Sequence, residues 1–274
     1  MASKEAPSRC RNCDQELVGV QYCPKCGQRD IDFKRDWKGL VAEYASSMFN
    51  FEGKVPQGII DLLFRPGKMT VEFLQGKRAS QIPPVRLYLF ASLVFFIWAS
   101  YNGEFELEDL EKEQLEQIEF DDDIPVSPDF ARKIAEKFQD SESIKNEFYS
   151  WLPRVFLLGV PVLALATRLV FRKRDLVYLE HMIISMHLQT FLLLWILLLS
   201  LLEFIVGKIW PWGSQNLVER IDLWILIYPV FASRRIFNLS WLKAIVATLV
   251  LELVFIVMVI VGVIAVMALA IWFA

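Results

Sequence analysis

Histidine is nearly missing from this chain of 274 residues, which has only His181 and His187, and no C-x-x-C-H motif accompanies them. A haem site or a histidine-rich di-metal centre is therefore not expected. Cysteine is absent after position 26, and four clustered thiols suit metal ligation in a reducing compartment better than a disulfide framework. A strong charge bias is also lacking. The formal net charge is −3, which argues against a basic nucleic-acid binder, and no nucleic-acid partner is expected. The first 30 residues hold no apolar run, so no cleavable signal peptide is expected. The stretch 253–274 carries no charge at all.

Apolar residues fill the space these absences leave. They make up 55% of the chain, 14% of it is aromatic, and the mean hydropathy is +0.37, too apolar for a soluble domain of this length. A helix needs about 20 apolar residues to cross roughly 30 Å of hydrocarbon. Five stretches are candidates: Val85 to Tyr101, Trp151 to Phe171, Met182 to Val206, Ile221 to Phe237 and Trp241 to Ala274. The fourth is short and interrupted by Pro229, so it either crosses fully or is re-entrant. The expected fold is an all-α multi-pass transmembrane bundle of about five spans, with a small N-terminal cytoplasmic zinc ribbon and amphipathic interfacial helices. Three regions follow: a ribbon at 1–30, an amphipathic platform at 31–84, and a transmembrane domain at 85–274 whose loop 103–150 is acidic.

Cys10-Arg-Asn-Cys13 and Cys23-Pro-Lys-Cys26 are two C-x-x-C knuckles separated by nine residues. Each supplies two thiolates at nearly fixed geometry, and four thiolates satisfy tetrahedral Zn2+ while leaving no position for water. The zinc is therefore structural, and a lobe too small for its own core depends on it. Gly27 follows the second knuckle, where a left-handed backbone is often required. The spacer is long enough for a short hairpin.

In the platform, Trp37, Leu40, Val41, Tyr44 and Met48 fall at helical spacing. Ile59 to Phe64 reads as a short apolar helix ending at Arg65-Pro66, and Thr70 as the cap of another short helix ending at Gly76. Arg65, Lys68, Lys77 and Arg78 are candidates to meet an anionic membrane surface. Lys and Arg before the first span, Arg172-Lys173-Arg174, and Arg234-Arg235 with Lys243 all fall on one side of a five-span bundle. That places the N-terminus in the cytoplasm and the C-terminus outside, in a bacterial inner membrane. The loop 103–150 then lies outside. It has sixteen acidic and five basic residues, and Leu107, Leu110, Leu115 and Ile118, then Phe130, Ile134 and Phe138, fit helix faces within it.

Ionisable groups within spans are expensive unless functional or paired. The candidates are Glu180, His187, Glu203, Asp222 and Glu252. Glu180 and His187, seven residues apart, share a helix face; His181 points elsewhere. Glu252 lies near mid-membrane, where it must be neutral or paired. Glu203 and Asp222 lie toward the outer face, within reach of Arg154. Gly262, Ala265 and Ala268 offer a small-residue helix interface, and a homo-oligomer is among the expected states.

Cys23-Pro-Lys-Cys26-Gly27-Gln28, Leu63-Phe64-Arg65-Pro66-Gly67-Lys68, and Gly76-Lys77-Arg78 before Pro84 together resemble a bacterial family of unknown function with an N-terminal zinc ribbon and several spans. Glu180-His181 through His187 and Phe191, and Tyr228 through Arg234-Arg235 with Ser240-Trp241, are similar to its pattern as well. The long acidic loop departs from it. The resemblance implies architecture and no chemistry. Three functions fit: a non-enzymatic module whose ribbon recruits or senses a cytoplasmic protein or regulates an oligomeric bundle; an ion or small-solute channel or transporter using Glu252 and His187; and a lipid-acting enzyme using the Glu180–His187 couple. The first is preferred, because no nucleophile–base pair and no open metal site is legible.

Overall fold

The computed structural model describes residues 9–17, 20, 22–29, 55–102, 141–209 and 214–273. Beyond the ribbon, these residues form seven helices: α1 (Val55–Phe64), α2 (Lys68–Leu74), α3 (Pro84–Asn102), α4 (Ser141–Val170), α5 (Tyr178–Ile209), α6 (Ser214–Phe237) and α7 (Trp241–Phe273). The helices expected around Trp37 to Met48 and within 103–140 lie outside the described residues.

Helix ends follow local chemistry. Pro84 opens α3, where its missing N–H costs nothing. Glu180 reaches back to accept from the Val177 N–H at 2.8 Å, half of a capping box that starts α5. Asn238, at φ +47°, ends α6 in a left-handed cap whose next N–H, from Leu239, returns to the Arg234 carbonyl. Only three residues then separate α6 from α7, so the two run antiparallel.

The long helices form a multi-pass helical bundle centred on α5, which packs against α3, α4, α6 and both short helices. On one side, Phe191 stacks flat on Tyr228 with ring centres 3.5 Å apart, and Trp195 meets Trp224, so α6 descends as α5 rises. On another, His181 meets Thr167 while Gln189 lies against Gly159, so α4 is antiparallel too. Gly159 and Gly262 admit Met258 and Val155 respectively at the α4–α7 seam, where a Cβ would collide with either side chain. Gly262 thus serves packing within the chain, while Ala265 and Ala268 are exposed.

Among the described residues, four segments are long and apolar enough to cross a membrane: Pro84–Tyr101, Ser150–Val170, Tyr178–Lys208 and Trp241–Val266. The fourth expected span, Ile221 to Phe237, belongs to α6 and is not among them. It is an unbroken helix through Pro229, aligned with its neighbours, but its uncharged stretch between Asp222 and Arg234 has only eleven residues. At 1.5 Å per residue that covers about 16 Å, half the hydrocarbon thickness. Exposed apolar side chains on α3, α4 and α7, such as Leu93, Leu165 and Leu253, give the bundle the outer face that lipid requires.

The short helices are not a loose connector. Leu62, Leu63 and Met69 join the same core as Leu87, Phe191, Trp195 and Tyr228. Phe64 reaches Trp195, seventeen residues into α5 and so about 26 Å along it.

Candidate functional site

The ribbon is built from two similar loops. In each, the first cysteine's N–H donates to the carbonyl five residues on (Gln15 for Cys10, Gln28 for Cys23), and its own carbonyl accepts from the residue four positions on. That residue is Asp14 in one loop and Gly27 in the other, at φ +59° and +71°. The left-handed backbone expected at Gly27 is present, and Asp14 adopts it despite its Cβ. The bridges Arg9–Glu16 and Tyr22–Arg29 close each loop upon itself.

These loops aim four sulfurs at one point. Cys10 and Cys26 lie 3.6 Å apart, Cys13 and Cys23 3.5 Å, and all four sulfurs fall within 4.8 Å of one another. Tetrahedral coordination at metal–sulfur distances near 2.3 Å places sulfurs roughly 3.8 Å apart. The four cysteines are therefore positioned to hold a metal ion. On their own they compete for ionisation. Burial opposes the Cys23 thiolate, but the Cys26 and Lys25 N–H groups draw it down to about 6. At Cys13 the Gln15 N–H favours the thiolate, yet burial and the three adjacent sulfurs push it up to about 12. A bound cation ends the competition by neutralising the cluster.

The ribbon is docked chiefly through the Gln28 side chain. Gln28 donates through Nε2 to the Gly76 carbonyl at 2.8 Å, and its Oε1 accepts from the Arg78 and Ala79 N–H groups, both at 3.0 Å. Asn12 accepts twice from Ser80. Gly76, at φ +94°, lies against the Arg11 side chain. The Gly-Lys-Arg step is thus the ribbon's seat. Arg78 is buried there and Lys77 half-buried, so Arg78 does not take the membrane-surface position expected of it.

The Arg-Pro-Gly-Lys turn has a comparable role against α6. Gly67 starts α2 at φ +69°, and a Cβ there would meet the Ala232 carbonyl oxygen at 3.0 Å. Trp224 Nε1 donates to the Leu63 carbonyl at 3.0 Å, and Arg235 to that of Pro66 at 3.3 Å, satisfying carbonyls left over at the end of α1. Arg65 and Lys68 bracket Asp61 at 2.8 and 2.9 Å. Burial alone would raise the Asp61 carboxyl, but the Lys68 hydrogen bond, with the Lys68 and Arg65 charges, holds it below its ordinary value. Both cations are engaged locally by Asp61.

Thr70 does not cap α2, since Gly67 already begins the helix. Its hydroxyl lies 2.9 Å from His187 Nδ1, and Phe73 packs edge-on against the same ring. His187 therefore faces α2, while Glu180 caps α5, so no Glu180–His187 couple forms. His181 turns to Thr167, in keeping with its expected separate face. Glu203 is exposed, and Arg154 lies 4.6 Å over the Trp151 ring instead of pairing with it. Asp222 lies within α6, its side chain outside the described residues.

Glu252 faces a separate space. A cavity of about 250 Å3 lies between α4, α5, α6 and α7, lined by Gln189, Ser233, Thr248 and Glu252 among apolar side chains. His187 is not part of its lining, so the structure does not bring His187 and Glu252 onto one path. Neither Gln189 nor Gln28 is ionisable, so charge alone does not mark them in the sequence. An amide in an apolar run is the signal that marks Gln189, and the residue following a metal knuckle marks Gln28.

Residues 52–96 match the family model described as Protein of unknown function (DUF3667). The matched stretch contains the Arg-Pro-Gly-Lys turn, the Gly-Lys-Arg step and most of α3. No curated protein and no solved structure matches the chain.

Proposed function

We propose that the protein is a non-enzymatic module of the bacterial inner membrane, in which a structural Zn2+ ribbon on the cytoplasmic side senses or recruits a protein partner and passes that state to the bundle. The observation that carries this reading is the Gln28 amide, which joins the ribbon to three backbone groups of the 76–79 step. That step continues α2, which reaches His187 through Thr70 and Phe73. A change in the ribbon thereby has a contiguous route of packed and hydrogen-bonded groups to His187, in the first third of α5. Zinc fits the all-sulfur ligand set and closed geometry better than harder cations, which prefer oxygen. Cytoplasmic placement follows from the Lys and Arg that flank the spans on that side. A homo-oligomeric bundle regulated by its ribbon is the quaternary form of the same reading.

Hydrogen exchange on the full chain in lipid nanodiscs tests it. Zinc removal is expected to raise exchange at residues 76–80, in α2 and in α5 near His187. Gln28→Ala is expected to raise exchange at the step while making α2 and α5 insensitive to zinc. Exchange that changes only within residues 9–29 on zinc removal would sink the coupling. Partner recruitment fails separately if Cys10→Ser leaves cross-linking of the ribbon to cytoplasmic proteins unaltered in living cells.

A further inference from the structure

The cavity between α4 and α7 has an unusual inventory for the interior of a bundle. Ten of its fourteen lining residues are apolar, and no Lys, Arg or His is among them. Two of its polar residues are already engaged, because Thr248 donates to the Pro229 carbonyl at 3.4 Å and lies 3.3 Å from the Ser233 hydroxyl. Two are not. Gln189 is 1% exposed, and neither its amide nitrogen nor its amide oxygen has a partner among the described residues. An unpaired buried amide costs about 1–3 kcal/mol per group, so such groups are normally met by water or ligand. Glu252, the other, is the twelfth residue of α7 and the twelfth of the 26 in its apolar segment, so it lies midway along that segment.

The access route is lateral. Leu226 on α6 and Ile256 on α7 line the cavity and are more than half exposed, on the apolar flank of the bundle. A visitor therefore enters from hydrocarbon and not from water. An anion would find no cation in the lining, and an ion of either sign would have to cross lipid to arrive. A neutral head that both donates and accepts hydrogen bonds suits the Gln189 amide, which does the same. Size agrees, since a cavity of about 150 Å3 admits benzene.

We propose that this cavity is a binding site for a neutral single-headed amphiphile dissolved in the bilayer, its hydroxyl head held by Gln189 and Glu252 and its hydrocarbon part leaving between α6 and α7. The site is independent of the ribbon reading, and Gln28→Ala leaves it unchanged.

A decanol analogue carrying a photoreactive diazirine tests it on the full chain in nanodiscs, with labelled residues located by mass spectrometry. Labelling is expected to concentrate on the cavity walls of α5, α6 and α7, to saturate, and to be displaced by decanol but not by decane at equal membrane concentration. Gln189→Leu is expected to weaken displacement by about tenfold, the loss that one buried hydrogen bond represents. Glu252→Gln, which keeps the side chain's size and an acceptor oxygen, is expected to stay within about threefold of the native chain. Helical content and thermal unfolding of each variant establish that it is folded. Equal displacement by decane and decanol, labelling spread over all lipid-facing residues, or a folded Gln189→Leu chain that binds like the native one overturns the site.

Discussion

Gln28 Nε2 donates to the Gly76 carbonyl across 48 positions of sequence, and the same side chain accepts from Arg78 and Ala79. No other residue type of similar size presents a donor and a two-bond acceptor in this geometry. Truncation leaves two N–H groups and one carbonyl without their partner. Gln28→Ala is therefore expected to weaken ribbon docking by about 1–3 kcal/mol. The measurement is limited proteolysis in the 76–80 step, which should accelerate while zinc content per chain stays at the native value.

Metal loss has the opposite pattern. Among the described residues the lobe buries little beyond Leu17 and the cysteines themselves. With a metal on the four sulfurs, its folding free energy would be largely metal-binding free energy, on the order of 10–16 kcal/mol where that metal is zinc. Cys10→Ser is expected to lose bound zinc and the order of residues 9–29. The helical signal of the bundle should persist, because none of the five buried clusters of the bundle among the described residues draws on the ribbon. Zinc analysis together with circular dichroism of the purified variant checks both halves.

Gly67 combines a left-handed backbone with a close approach to α6. Gly67→Ala adds about 1 kcal/mol of backbone strain and places the new methyl 3.0 Å from the Ala232 carbonyl oxygen. A total loss of about 1–3 kcal/mol in thermal unfolding is expected. Gly207 is the control. Nothing lies within 4 Å of a Cβ there, and alanine in a helix is favoured over glycine by about 1 kcal/mol. Equal losses at both positions would contradict the close-packed turn.

Thr70 and His187 meet at 2.9 Å although 117 positions separate them. A double-mutant cycle with Thr70→Val and His187→Phe is expected to give a coupling energy of about 0.5–1.5 kcal/mol. Additive effects would mean that the contact contributes nothing to holding α2 on α5.

Asp61 makes the turn weakly acid-sensitive. Its folded carboxyl titrates below its ordinary value of 3.8, so the ionised form is favoured by folding. The resulting stability is fully present above the ordinary value and is lost as pH falls through the lower folded value. Because Arg65 is largely exposed, the contribution is small, about 0.5–1 kcal/mol. Asp61→Asn is expected to remove that amount at neutral pH and to flatten the acid limb of the unfolding midpoint against pH.

Much of the architecture is local and was therefore legible along the chain. The two knuckles carry their ligand geometry within four residues, so Cys10, Cys13, Cys23 and Cys26 were readable as one metal site. Apolar length marks α3, α4, α5 and α7 as spans, since a membrane-crossing helix satisfies its backbone within itself. The helix at Ile59 to Phe64 and its stop at Pro66 follow from proline chemistry alone.

Pairing between distant segments belongs to the tertiary structure. Periodicity assigns Glu180 and His187 to one face, yet Glu180 is consumed by a cap and His187 by Thr70, because partners from α2 and the 175–177 loop arrive there first. Arg78 looks like a surface cation in sequence and becomes buried because its N–H is needed under Gln28. Glu252 stands out as a charge in hydrocarbon, but the Gln189 amide beside the same cavity became visible only when α5 and α7 were placed together. Sequence composition decides that a polar group within a span needs a partner; only the packing of helices decides which partner it receives, or that a space is left for one.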